Sequence, residues 1–209
     1  MNWMIYLSVA LVAYLLGSVS FALLFSKAMN LADPRSYGSK NPGATNVLRS
    51  GNLRAAALTF AGDAGKGGLV VWGAGCAVKR FGESFGLGDE VIALAALSVF
   101  MGHIWPVFFQ FRGGRGVSTT AGILFAIHPA LGLASAATWG IIAFFFRYSS
   151  FAALVAAVFA PLYQMFIFGP NVISAALIMI SGVLIFRHRS NIHHLLRGIE
   201  PRIGQKAGK

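Results

Sequence analysis

Followed for its apolar and polar positions, the chain separates into long apolar runs joined by short polar links. Residues 3–25 are apolar almost throughout, and residues 26–54 turn polar, rich in Gly, Asn, Ser and basic side chains. Residues 55–78 are apolar again but carry Asp63 and Lys66, and the run 91–111 contains His103. The next run, 117–146, exceeds the ~20 residues that cross a bilayer as one helix. His128-Pro129 interrupts it, and proline cannot continue a helix because it lacks the N–H and its ring clashes with the preceding turn. Arg147-Tyr148-Ser149-Ser150 precedes the run 151–168, Gly169-Pro170 separates that from 171–186, and residues 187–209 form a basic tail.

Runs of this length predict an all-α chain whose solvent is mostly lipid. Composition agrees: 56% of the 209 residues are hydrophobic and 11% are charged, where a soluble domain has about 25% charged residues. The chain reads as one integral membrane domain over 1–209, and residues 1–25 as a retained span, since they lack a basic leader and their apolar stretch is long for a signal peptide.

Net charge is +11, and where the charge lies decides its use. Residues 26–54 hold five basic residues against one acid, and the tail six against one; residues 79–90 hold two against three. Basic links stay cytoplasmic, which predicts seven spans once 117–146 is split at His128-Pro129, with the N-terminus outside and the C-terminus in the cytoplasm. The spans 117–127 and 171–186 are short for a bilayer, and five crossings is the rival count. A basic balance confined to links attracts anionic lipids and phosphorylated substrates rather than nucleic acid. The single cysteine, Cys76, excludes an intramolecular disulfide and a thiolate metal cage. No metal cluster is apparent, so neither metal nor cofactor is expected.

Three polar clusters carry candidate chemistry. In the first, residues 38–49, Asn41-Pro42 predicts a helix start, with the amide as N-cap and proline at the first helical position. Thr45, Asn46 and Arg49 then form one polar stripe, and Ser39 lies in a flexible approach that offers free amides to an anion. An ordinary cytoplasmic loop is an equal alternative. The second cluster, residues 102–120, holds Arg112-Gly113-Gly114-Arg115-Gly116-Val117-Ser118. Glycines let backbone wrap a ligand, and arginines donate charge-assisted hydrogen bonds to phosphate oxygens. The spacing is not that of a Walker loop, and a basic turn that only sets topology is the alternative. In the third, His188 and Asn191 share a helix face if the last span continues past the membrane, although a basic amphipathic tail on anionic lipid explains this stretch as well. Asp63 and Lys66, three apart on one helix face, read as a supporting ion pair, since lone charges inside a span cost about 2.5–3.5 kcal/mol each. Ser149 and Ser150 could donate hydroxyls at the same rim.

At these clusters the chain resembles the PlsY family, bacterial acyl-phosphate:glycerol-3-phosphate acyltransferases. The resemblance extends from Ala13-Tyr14-Leu15-Leu16-Gly17-Ser18 to the tail; residues 38–49 and 102–119 match the family's first two motifs, and Arg187, His188 and Asn191 its third. Where the second motif often carries Lys, this chain has Arg112 and Arg115, which keeps the charge but replaces a point ammonium with a planar fork. The resemblance implies acyl transfer from long-chain acyl phosphate to glycerol 3-phosphate, a seven-span fold and a site on the cytoplasmic side of the bacterial inner membrane. It also implies a soluble enzyme making acyl phosphate as a candidate partner.

On that reading Arg49, Arg115, His188 and Asn191 are the catalytic group. Ser39, Asn41, Thr45, Asn46, Arg112, Gly113, Gly114, Gly116, Ser118, Ser149 and Ser150 bind substrate. The proton acceptor is either His188 or a substrate phosphate oxygen. Two rivals are weaker. Acyl-CoA-dependent acyltransferases use His-x-x-x-x-Asp, which is absent here, and an anion transporter would call for an inverted repeat, which is not visible.

Overall fold

The computed structural model describes residues 3–205. It contains α1 (Trp3–Gly17), α2 (Phe21–Ala28), α3 (Ala44–Leu48), α4 (Leu53–Phe85), α5 (Asp89–Ile104), α6 (Val117–Ile127), α7 (Pro129–Phe146), α8 (Ser149–Phe168), α9 (Val172–Arg187) and α10 (Arg189–Leu196). A 3-10 turn, Val107–Phe109, follows α5, and there is no strand among the described residues.

Three helix starts and the end of the longest helix follow from local chemistry. Asn52 caps α4, its side chain accepting from the Ala55 amide at 2.9 Å, and Gly86 ends that helix in the left-handed region at φ +61°. His128 caps α7 through Nδ1, 3.2 Å from the Ala130 amide, with Pro129 at the first helical position where no N–H is needed. Asn171 and Ser174 form a reciprocal capping box at the start of α9.

Among the described residues, four helical stretches are long and apolar enough to cross a membrane: Trp3–Ala28, Asp89–Phe109, Pro129–Phe146 and Ser149–Phe168. Val172–Arg187 together with Arg189–Leu196 makes a fifth, bent by 57°. Outward-facing Phe144, Phe166 and Leu133 are 78%, 91% and 62% exposed, a distribution that lipid tolerates and water does not.

The structure differs from the sequence expectation in three places. The apolar run 3–25 is two helices, because the chain breaks between Gly17 and Phe21. The first polar helix starts at Ala44 with Gly43 as N-cap, not at Asn41-Pro42, because Asn46 is drawn inward to hold the preceding loop. The last span bends at His188 rather than continuing straight into the tail.

Small residues set the helix crossings. A Cβ on Gly122 of α6 would overlap the Ala64 carbonyl of α4, one on Gly67 would overlap the Thr119 carbonyl, and one on Gly102 of α5 would overlap the Tyr14 carbonyl of α1. Backbones approach this closely only where side chains are missing. In this way the 11-residue α6 is held against the 33-residue α4.

Candidate active site

A cavity of about 510 Å³ opens where α3, the start of α6, the α7–α8 turn and the α9–α10 bend converge. Ser39, Asn41, Thr45, Asn46 and Arg49 reach it from the first polar segment, Arg115, Gly116 and Ser118 from the glycine-rich turn, Ser149 and Ser150 from the start of α8, and His188 from the bend. Ser39 and His188, 149 positions apart along the chain, thus share one wall.

Asn46 organises the first segment. Its Oδ1 accepts from the Ser39 amide at 2.9 Å, and its Nδ2 donates to the carbonyls of Pro34 (2.7 Å) and Tyr37 (3.2 Å). Arg49 Nη1 donates to the same Oδ1 at 3.4 Å. A Cβ on Gly38, which sits at φ +55°, would collide with this amide oxygen. With its side chain committed to the loop, Asn46 shapes the wall, and Thr45 and Arg49 are left to face the cavity. Thr45 Oγ1 lies 3.2 Å from Ser149 Oγ, which joins the first segment to α8.

The glycine-rich turn is clamped from two sides. Arg187 Nη2 donates to the carbonyls of Gly113 (3.1 Å) and Gly114 (3.2 Å), and the Gly114 amide donates to the His103 carbonyl at 3.2 Å. Gly116, at φ +90°, turns the chain into α6 where a side chain would strike Phe100. Arg115 therefore emerges from backbone that has little freedom. Burial pushes its guanidinium down to about 10, helped by repulsion from Arg49 and Arg187 and partly offset by Glu200. The site concentrates positive charge.

His188 is 2% exposed, and its Nδ1 lies 2.8 Å from the Leu184 carbonyl. A proton on Nδ1 makes that contact a hydrogen bond and leaves Nε2 as an acceptor. Burial lowers His188 to about 4; the Leu184 carbonyl opposes the shift and Arg115 adds to it. The ring is neutral at pH 7.

Four residues of the sequence reading lie off the cavity wall. Arg112 is exposed. Gly113 and Gly114 sit behind Arg115 in the clamp just described. Asn191 is buried, and its Nδ2 donates to Glu200 Oε1 at 2.7 Å.

Sequence reasoning overlooked Glu200. Its Oε1 also accepts from Ser150 Oγ at 2.6 Å, and His194 Nδ1 lies 3.4 Å from Oε2. Residues 200–205 line the cavity. The tail is fastened to the α7–α8 turn by a backbone bond from the Ile203 amide to the Arg147 carbonyl (2.7 Å) and by Arg147 Nη2 donating to the Ile203 carbonyl (3.2 Å). The available signal was that Glu200 is the lone acid in a tail with six basic residues.

Beyond the polar rim the wall turns apolar, with Leu124, Gly132, Ala136, Trp139, Ala153, Ala157 and Ala160. From Ser150 to Ala160 the α8 wall descends about 15 Å at 1.5 Å per residue. The arrangement can hold phosphate oxygens at one end and a hydrocarbon chain at the other.

The profile of the family described as glycerol-3-phosphate acyltransferase matches residues 7–198. A glycerol-3-phosphate acyltransferase of Burkholderia thailandensis is 64% identical over 197 residues, covering 93% of this chain and 94% of that protein. One of Paraburkholderia phymatum is 61% identical over 200 residues, covering 96% and 93%. Two crystal structures of PlsY, an integral membrane glycerol 3-phosphate acyltransferase, share 38% identity with the chain. The glycerol 3-phosphate form superposes with a TM-score of 0.86, covering 95% of this chain and 96% of that one. The lysophosphatidic acid form gives 0.83, covering 95% of each.

Proposed function

The chain belongs to the glycerol-3-phosphate acyltransferase family, and we propose that this membrane enzyme takes its acyl group from a long-chain acyl phosphate. It transfers that group to the 1-hydroxyl of glycerol 3-phosphate, giving 1-acyl-glycerol 3-phosphate and inorganic phosphate. The observation that carries this reading is the single cavity that joins a cationic, hydroxyl-rich rim to an apolar arm.

Acyl phosphate is a mixed anhydride, so its carbonyl is already activated and no covalent enzyme intermediate is required. The work left to the protein is to bring two phosphate-bearing reactants together, which can supply about 7–11 kcal/mol of the barrier. Arg49 and Arg115 hold phosphoryl oxygens, with Ser39, Ser118 and the Thr45–Ser149 pair donating hydroxyls and Gly116 keeping the backbone close, while the Ser150 hydroxyl stays committed to Glu200. The glycerol oxygen attacks the acyl carbon, the bond from that carbon to the phosphate oxygen breaks, and the hydroxyl proton passes to a phosphate oxygen. Arg115 stabilises the negative charge as phosphate departs. Neutral His188 accepts a hydrogen bond from a glycerol hydroxyl through Nε2 and orients it, while Asn191 acts from behind through Glu200. Arg112, exposed beside the turn, adds to the field that draws anions in.

The same reading has seven crossings, formed by the α1–α2 pair and by α4, α5, α6, α7, α8 and α9, in the bacterial inner membrane. The N-terminus is outside, and the tail and site face the cytoplasm, where glycerol 3-phosphate and a soluble acyl-phosphate-making partner would reach it. No metal takes part, so a chelator leaves turnover unchanged.

The test is product analysis on purified protein with palmitoyl phosphate, palmitoyl-CoA or palmitoyl acyl carrier protein as donor. Lysophosphatidic acid formed from palmitoyl phosphate is expected. Efficient turnover of palmitoyl-CoA without turnover of palmitoyl phosphate would overturn the donor assignment. Reactivity of Gln205→Cys, in a Cys76→Ser background, toward an impermeant thiol reagent in right-side-out vesicles would overturn the orientation.

A further inference from the structure

Three ionisable side chains lie deep among the helices, and the reaction above does not use them. Asp63 and Lys66 of α4 are 1% and 8% exposed, and His103 of α5 is 7% exposed. One oxygen, Asp63 Oδ1, lies 2.9 Å from Lys66 Nζ and 3.6 Å from His103 Nδ1. Lys66 Nζ also donates to the Val19 carbonyl at 2.6 Å, which is left free by the break between α1 and α2. An ion pair alone would account for Asp63 and Lys66 but not for the histidine beside them.

His103 has a second set of contacts, on the glycine-rich turn. Its carbonyl accepts from the Gly114 amide, a Cβ on Gly113 would overlap that carbonyl, and a Cβ on Gly114 would overlap the ring at Nε2. The two glycines are therefore seated directly on His103, with Arg187 closing over their carbonyls from the other side. Arg115 is the next residue. Asp63 and His103 also border the cavity itself.

We propose that Asp63 and His103 are positioning residues for phosphate recognition: the carboxylate fixes the imidazole ring, and the ring is the floor on which the turn carrying Arg115 rests. A carboxylate 3.6 Å from Nδ1 attracts a proton on that nitrogen and so favours one tautomer and one ring angle, much as carboxylates orient metal-bound histidines. Without it the ring loses the charge that selects its tautomer and angle, and the turn loses the fixed surface that its missing side chains expose. Lys66 has a separate duty, tying the same carboxylate to the α1–α2 break.

The inference rests on the acyl-transfer reading only for its kinetic readout. Wild type, His103→Gln, Asp63→Asn and the double variant Asp63→Asn/Lys66→Met are compared at saturating palmitoyl phosphate. The double variant removes both charges and so leaves no orphaned ammonium in the membrane if the single variant does not fold. His103→Gln and the double variant are expected to raise KM for glycerol 3-phosphate about tenfold, equivalent to ~1.4 kcal/mol, while kcat stays within about threefold. Adding His103→Gln to Asp63→Asn/Lys66→Met should raise KM no further, since both changes act through one ring. Wild-type KM in the double variant would show that Asp63 serves only to neutralise Lys66, and wild-type KM in His103→Gln would remove the floor; either result overturns the inference. The rise in unfolding temperature on adding glycerol 3-phosphate is measured in parallel and should shrink in the same variants. If wild type does not turn over palmitoyl phosphate, the donor assignment falls, and this thermal readout still decides the inference.

Discussion

Replacing Arg115 with alanine should abolish most activity without unfolding the protein. The guanidinium sits in a cavity that also holds Arg49, and burial together with repulsion from Arg49 and Arg187 brings its pKa down to about 10. It remains protonated at pH 7, so the empty site bears a charge it disfavours. At 1.36 kcal/mol per pKa unit such a shift corresponds to about 3 kcal/mol; water in the open, half-buried site relieves part of it, leaving about 1–2 kcal/mol. On the proposed reading a phosphate dianion would remove that penalty on binding, so the group that burdens the resting fold would favour the loaded one. Arg115→Ala should therefore leave the unfolding temperature of the ligand-free protein unchanged or slightly raised. It should lower kcat/KM about 10²–10³-fold, the cost of losing one preorganised donor to developing negative charge, ~2.7–4 kcal/mol. Arg115→Lys keeps the charge but loses the fork, and should fall between. Phosphate release from palmitoyl phosphate, with thermal unfolding in the same detergent, measures both quantities. Turnover of Arg115→Ala within threefold of wild type would contradict a phosphate-holding role for this side chain, and so would a large drop in its ligand-free stability.

Three further outcomes follow from the geometry. His188 titrates near 4 in the fold against 6.5 for a free histidine; the unfolded chain binds the extra proton first, so stability is full above pH 6.5 and declines as pH falls toward 4. In His188→Gln this decline, followed by thermal unfolding across pH, should flatten, and an unchanged slope would contradict the buried neutral ring. Glu200→Ala strands the Ser150 hydroxyl and the Asn191 amide, at about 1–3 kcal/mol for each buried unsatisfied group; the unfolding temperature should drop and the tail should become protease-sensitive, with Glu200→Gln milder. Gly122→Ala drives a methyl into the Ala64 carbonyl and should cost at least about 1–3 kcal/mol as overpacking, read as reduced yield of folded protein in membranes. Gly140→Ala, at a glycine with open space around it, serves as the neutral control.

Much of the backbone was legible from neighbours in the chain. His128-Pro129 separates α6 from α7 as the sequence predicts, because a missing N–H and a capping side chain act within a few residues. The break inside 3–25 was not legible, since the Val19 carbonyl it frees is satisfied by Lys66, 47 positions away. The helix expected at Asn41 begins at Ala44 for a related reason: Asn46 is recruited by Pro34, Tyr37 and Ser39 rather than by its own helix. In both cases a distant partner outweighed local preference.

From neighbouring residues alone it follows that this chain lives in lipid, roughly where most of its helices lie, and where three polar clusters interrupt them, because hydropathy, capping and motif spacing are properties of adjacent residues. The tertiary structure alone decided that Arg49, Arg115, Ser150 and His188 share one cavity, that Asn191 serves Glu200, and that His103 underlies the glycine turn. Those pairings depend on which helix faces meet, and a buried polar group takes whatever partner the packing brings within reach.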